Sequence, residues 1–108
     1  RDYVHVTDLA TAHISTLKAL LDGHRGGSYN LGTGTGTSVL EIIDAVERNS
    51  GKRPSYTIGP RRDGDPPELV AECTRIHDEF GWTPKYSDVD TLISTALAWK
   101  QKLAPSGA

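Results

Sequence analysis

The sequence predicts the smaller, mostly helical lobe of an α/β protein. Three observations carry that reading. Four segments have helical spacing or their own start and stop signals, the extended stretches between them are too few and short for a central sheet, and 108 residues admit one domain at most.

The first helix is expected from about Asp8 to Leu21, with Val6, Leu9, Ala10, His13, Leu17, Leu20 and Leu21 on its buried face, Thr7 or Asp8 as N-cap and Gly23 as terminator. The second has the stronger start signal. In Ser38-Val39-Leu40-Glu41 the serine oxygen can accept from a first-turn amide while Glu41 reaches back, a capping box, and Val39, Ile42, Ile43 and Val46 follow as its buried stripe. A short helix is expected from about Thr74 to Phe80, ended by Gly81. The last opens near Ser87, with Asp88 and Asp90 in its first turn and Lys100 and Lys102 near its end, which suits the helix dipole; Val89, Leu92, Ile93, Ala96 and Trp99 should face inward. Short strands are expected at Tyr3–Val6, Ser28–Leu31, Ser55–Ile58 and Leu69–Ala71. The lobe is read as residues 1–103, and 104–108 as a disordered tail.

Composition narrows the function classes. With 12 Lys+Arg against 14 Asp+Glu, the net charge of −2 gives no general footprint for nucleic acid or an anionic membrane surface. No apolar run approaches a membrane span. The single cysteine, Cys73, favours a reducing compartment, so a cytoplasmic protein is expected. The chain contains no Met and begins Arg1-Asp2-Tyr3, from which a piece of a larger protein is expected.

Two segments could carry chemistry. Tyr29-Asn30-Leu31-Gly32-Thr33-Gly34-Thr35-Gly36-Thr37-Ser38 follows an extended stretch and opens a helix, the context of a phosphate-cradling loop. Its spacing is G-x-G-x-G, Thr37 stands where the dinucleotide fingerprint needs Gly or Ala, and no acidic ribose-binding residue follows a second strand. A structural turn is the favoured reading, with phosphate contact as the alternative. Pro60-Arg61-Arg62-Asp63-Gly64-Asp65-Pro66-Pro67 places two guanidinium groups and two carboxylates in a loop stiffened by prolines. Arginine forks suit phosphate oxygens and a carboxylate suits sugar hydroxyls, the two halves of a nucleotide diphosphate; a solvated turn with internal Arg-Asp pairs is the equal alternative. Tyr3 reads as a packing residue, with Asp2 holding Arg1. The four histidines, His5, His13, His24 and His77, lack metal-ligand spacing with Cys73, so no metal is expected. Gly26-Gly27-Ser28-Tyr29-Asn30 lacks the final glycine of a nucleophile elbow.

Taken in order, the blocks Arg1 to Ala10, Tyr29 to Gly34, Pro60 to Ala71 and Phe80-Gly81-Trp82-Thr83-Pro84 resemble the C-terminal portion of the UDP-glucose 4-epimerase family, within the extended short-chain dehydrogenase/reductase superfamily. The resemblance runs from Arg1 to about Leu103. Its first two blocks are shared with sugar-nucleotide dehydratases and decarboxylases, while Arg61-Arg62-Asp63-Gly64-Asp65 with Leu69-Val70-Ala71 points to the epimerases.

The resemblance implies a substrate-binding lobe whose Rossmann partner binds NAD and carries a Tyr-x-x-x-Lys pair. In the whole enzyme UDP-glucose and UDP-galactose interconvert through a 4-keto sugar, as part of galactose metabolism. Four residues after Tyr3, Tyr29, Tyr56 and Tyr86 stand Thr7, Thr33, Pro60 and Asp90, so the catalytic pair is not in this sequence and no catalytic residue is assigned. Carried over by position, Arg1 and Arg62 look like the diphosphate-binding arginines, Tyr3 like the tyrosine beside the nucleotide and Asp65 like the acceptor for ribose hydroxyls. Leu69 stands where some relatives place an aromatic or small residue bordering the sugar, which leaves hexose against N-acetylhexosamine preference open. The resemblance further implies a homodimeric parent. The rival readings are another extended reductase of nucleotide sugars and a stand-alone nucleotide-sugar binding module. A lobe of this kind, apart from its Rossmann partner, should expose apolar surface.

Overall fold

Four helices form in the order α1 (Val6–Leu21), α2 (Val39–Ser50), α3 (Thr74–Phe80) and α4 (Val89–Leu103) in the structure, a computed structural model that describes residues 1–104. The expected tail from Pro105 onward lies outside the described residues.

The capping box of α2 forms as the sequence predicts. The Ser38 hydroxyl accepts from the Glu41 amide at 3.1 Å while the Ser38 amide donates to Glu41 Oε1 at 3.3 Å, and Gly51 closes the helix at φ 76°. Helix α3 spans the expected residues and ends on Gly81 at φ 67°, a left-handed conformation that glycine adopts without a Cβ penalty. At α4 the Asp88 carboxylate caps the Thr91 amide at 3.0 Å. Helices α2 and α4 pack together, and Arg48 and Asn49 on α2 both donate to Asp90 on α4 at 3.0 Å.

Helix α1 departs from expectation at both its cap and its face. It starts at Val6, because the His5 imidazole accepts the Thr7 amide on Nδ1 at 3.0 Å with Nε2 2.9 Å from Thr95 Oγ1. Asp8 is thereby free for another role. Its carboxylate is 1% exposed and accepts the Lys85 and Tyr86 amides at 2.9 Å and the Ser87 hydroxyl at 2.5 Å. Its backbone carbonyl accepts Trp82 Nε1 at 3.1 Å, so Asp8 pins the segment after α3 against α1. The core is built on that side, from Ala12, Ile76 and Trp82, with Tyr29, Leu31, Cys73 and Phe80 around them. Much of the stripe expected to be buried instead faces outward: Val6, Leu17, Leu20 and Leu21 are all more than half exposed. Val39 on α2 and Trp99 on α4, both expected to face inward, are likewise 62% and 57% exposed.

No strand forms among the described residues. The extended stretches run past one another, but a ladder needs successive backbone pairs. Here the amides of Thr33, Gly34 and Ala71 donate instead to the Asp2 carboxylate, which stands between the chains. The few short strands expected from composition are extended segments without partners. The molecule is a slab of 50 × 39 × 20 Å whose radius of gyration, 17.2 Å, exceeds the roughly 13 Å of a compact domain of this length. No described helix is long and apolar enough to cross a membrane.

Candidate functional site

An open cleft of about 770 Å³ lies between the N-terminal extended segment, the start of α2 and the proline-stiffened loop. Backbone alternation explains how the N-terminal segment contributes. In an extended chain successive side chains point to opposite sides, and Arg1 and Tyr3 line the cleft while Asp2 turns away from it toward the Gly-rich turn. The loop contributes Arg61, Arg62, Asp65, Pro66 and Pro67. Ser38 and Val39 bring the N-terminal end of α2 to the cleft's edge, where the helix dipole adds positive potential.

Four of the five site residues expected from the sequence meet here. Arg1 pairs through Nη2 with Asp65 Oδ1 and donates from Nη1 to the Pro66 carbonyl at 3.2 Å. Arg62 Nη2 lies 3.4 Å from Asp65 Oδ2, while its side chain stays 82% exposed. One carboxylate therefore bridges two guanidinium groups, one from 64 positions away in the chain. Desolvation pushes the Asp65 carboxyl up, but the Arg1 hydrogen bond and the Arg1 and Arg62 charges outweigh it and hold the group below the usual carboxylate range. Three guanidinium groups against one carboxylate leave the lining cationic, so the fitting ligand is an anion. Leu69 is not brought to this lining; its side chain is 57% exposed. Thr37, Ser38 and Val39 are wall residues that sequence reasoning left out, although the capping box already marked a helix start there.

The Gly-rich turn is occupied by the protein itself. Thr33 donates its amide to Asp2 at 2.9 Å and its hydroxyl at 2.6 Å, Gly34 its amide at 3.0 Å, and Gly34 takes φ 76°. A Cβ on Gly32 would stand 2.5 Å from both Asp2 Oδ2 and the Ala71 Cβ. The anion cradled by these amides is thus a side-chain carboxylate, and the structural reading of the turn holds. The residues present do not fit a dinucleotide cofactor, since the amides that would meet its pyrophosphate are already bonded. Nor do three His, Cys, Asp or Glu side chains converge as metal ligands among the described residues.

Comparison with known proteins shows what the chain as a whole is similar to. The UDP-glucose 4-epimerase of Lacticaseibacillus casei is 46% identical over 101 residues, covering 94% of this chain and 30% of that protein. A solved UDP-glucose 4-epimerase structure superposes with a TM-score of 0.91 at 44% identity, over 100% of this chain and 32% of its own. Over nearly all of its own length the chain is similar to part of these UDP-glucose 4-epimerases. A further UDP-glucose 4-epimerase, from Bifidobacterium longum and solved with NAD+ and UDP, matches at a TM-score of 0.81 and 38% identity, over 100% of this chain and 31% of its own. The chain thus spans about a third of the length of these epimerases and corresponds to their C-terminal portion. No family model matches it.

Proposed function

We propose that these residues are the nucleotide-sugar-holding part of a UDP-glucose 4-epimerase, with the NAD site and the proton-transfer groups supplied by chain outside them. The observation that carries this reading is the convergence of Arg1, Arg62, Asp65 and Tyr3 on one cationic cleft. Arg1 and Arg62 bind the diphosphate, Asp65 accepts from the ribose hydroxyls, and Tyr3 borders the nucleotide. Leu69, four residues beyond Asp65 and outside the cleft lining, is the residue assigned to the sugar end.

The pairing of Asp65 with both guanidinium groups sets the order of events at the cleft. Asp65 now fills the place between the two guanidinium groups that a diphosphate would take. Phosphate oxygens exchange for the carboxylate on Arg1 and Arg62, and Asp65 is released toward the ribose. Both arginines then grip the diphosphate as a fixed point while the sugar turns to present either face at C4. They transfer no proton. This role belongs to a homodimeric cytoplasmic enzyme of galactose metabolism, acting on UDP-glucose and UDP-galactose.

The test is turnover by the full-length chain with NAD+ and UDP-galactose. Formation of UDP-glucose, with KM raised about tenfold or more in Arg62→Ala for the loss of a charge-assisted contact, is the expected result. No UDP-glucose formed would remove the epimerase reading in favour of another reductase of nucleotide sugars.

A further inference from the structure

We infer that Asp2, which does not face the cleft, is the positioning residue that sets the spacing of its two walls. The inference rests on the nucleotide-sugar reading of that cleft. One wall is the extended segment carrying Arg1 and Tyr3; the other is the loop carrying Arg62 and Asp65. Besides the Arg1 contacts with Asp65 and Pro66, the walls are joined behind the cleft through Asp2. The Asp2 carboxylate accepts the Ala71 amide at 3.2 Å, at the far end of that loop, and the Gly34 amide at 3.0 Å and the Thr33 amide and hydroxyl at 2.9 and 2.6 Å from the Gly-rich turn.

The turn in its own right leads back to the cleft: the Thr37 amide donates to the Arg1 carbonyl at 2.7 Å, and Thr37 and Ser38 line the wall at the start of α2. A single side chain therefore fixes three segments that meet around the ligand. Its neighbours are built to admit it. Gly32 leaves room that any Cβ would close, and Gly34 takes the left-handed conformation that aims its amide at the carboxylate. Because Asp2 lies between Arg1 and Tyr3 in an extended chain, moving it rotates both cleft-facing neighbours together. A displacement of about 1 Å in groups that orient a ligand can cost roughly a hundredfold. Charge matters as much as shape here, since all four partners are donors. An asparagine would turn an N–H2 group toward at least one of them.

The test compares variants of the full-length chain loaded with NAD+, by calorimetric titration with UDP alongside melting temperature. Asp2→Asn is expected to raise the UDP Kd about tenfold or more, and Thr33→Val, which removes one of the four donors, by a smaller factor. In turnover of UDP-galactose, Asp2→Asn should move KM more than kcat. Asp8→Asn is the structural comparator: it disturbs an equally bonded carboxylate outside the cleft, and should lower the melting temperature while the UDP Kd stays within about twofold. Weaker UDP binding in Arg62→Ala, with Asp2→Asn and Thr33→Val both at the wild-type Kd, overturns the role assigned to Asp2. Should Asp2→Asn not fold, Thr33→Val at the wild-type Kd overturns it alone. An unchanged Kd in Arg62→Ala instead removes the cleft reading itself, and this inference with it.

Discussion

Replacing Asp8 by asparagine should destabilise the fold far more than a change of one atom suggests. The wild-type carboxylate is 1% exposed and receives two amides at 2.9 Å and a hydroxyl at 2.5 Å. Asparagine keeps one acceptor oxygen and presents an N–H2 where the second oxygen stood. The Lys85 amide meets Oδ1 and the Tyr86 amide meets Oδ2, so one of them is left facing a donor in either orientation. Losing one charge-assisted bond and leaving a buried amide without a partner costs about 2–4 kcal/mol. For a chain of a few hundred residues, this lowers the melting midpoint by roughly 5–15 °C. Differential scanning calorimetry of the full-length chain at neutral pH reads the change directly. A midpoint within about 1 °C of wild type would refute the assignment of Asp8 as the anchor of the segment after α3.

The same carboxylates predict acid sensitivity. Burial raises the Asp2 and Asp8 pKa values but is outweighed by their hydrogen bonds, so both sit below the ordinary value in the folded state. The unfolded chain then takes up protons first, and their stabilisation is full above about pH 4 and lost as pH falls through the folded values; melting midpoints from pH 6 to 3 should fall most steeply below pH 4. Gly32→Ala forces a Cβ to within 2.5 Å of Asp2 and Ala71, and equilibrium urea unfolding should register a loss of about 1–3 kcal/mol. The 108-residue chain alone, with Val6, Leu17, Leu21 and Trp99 each more than half exposed, should bind a fluorescent apolar dye at pH 7; dye fluorescence at the buffer level with a sharp melt would oppose this.

Local signals were legible where the determinants are local. The Ser38-Glu41 box and the Gly81 stop each lie within a few residues of the feature they specify and both appear in the structure, whereas Asp88, expected inside the first turn of α4, is its N-cap. The proline-stiffened loop was also visible, because its charges and its rigidity are written side by side. The orientation of α1 was not. Periodicity identifies an apolar stripe but says nothing of which surface covers it, and here the small and polar face, through Asp8 and Ala12, meets the chain's own core. Asp2 was misread for a related reason. Its partners lie 31, 32 and 69 positions away, and the obvious neighbour, Arg1, pairs instead with Asp65. The strands failed on the same ground: extended propensity is local, whereas a ladder requires a second chain segment in register.

The central claim is that Arg1, Arg62 and Asp65 form the grip on a nucleoside diphosphate. Calorimetric titration of the full-length chain with UDP, in wild type, Arg62→Ala and Arg48→Ala, tests it most directly, since Arg48 is a guanidinium of the same kind paired with Asp90 away from the cleft. The claim predicts a UDP Kd raised about tenfold or more in Arg62→Ala and unchanged in Arg48→Ala. Equal affinity in all three proteins would contradict it.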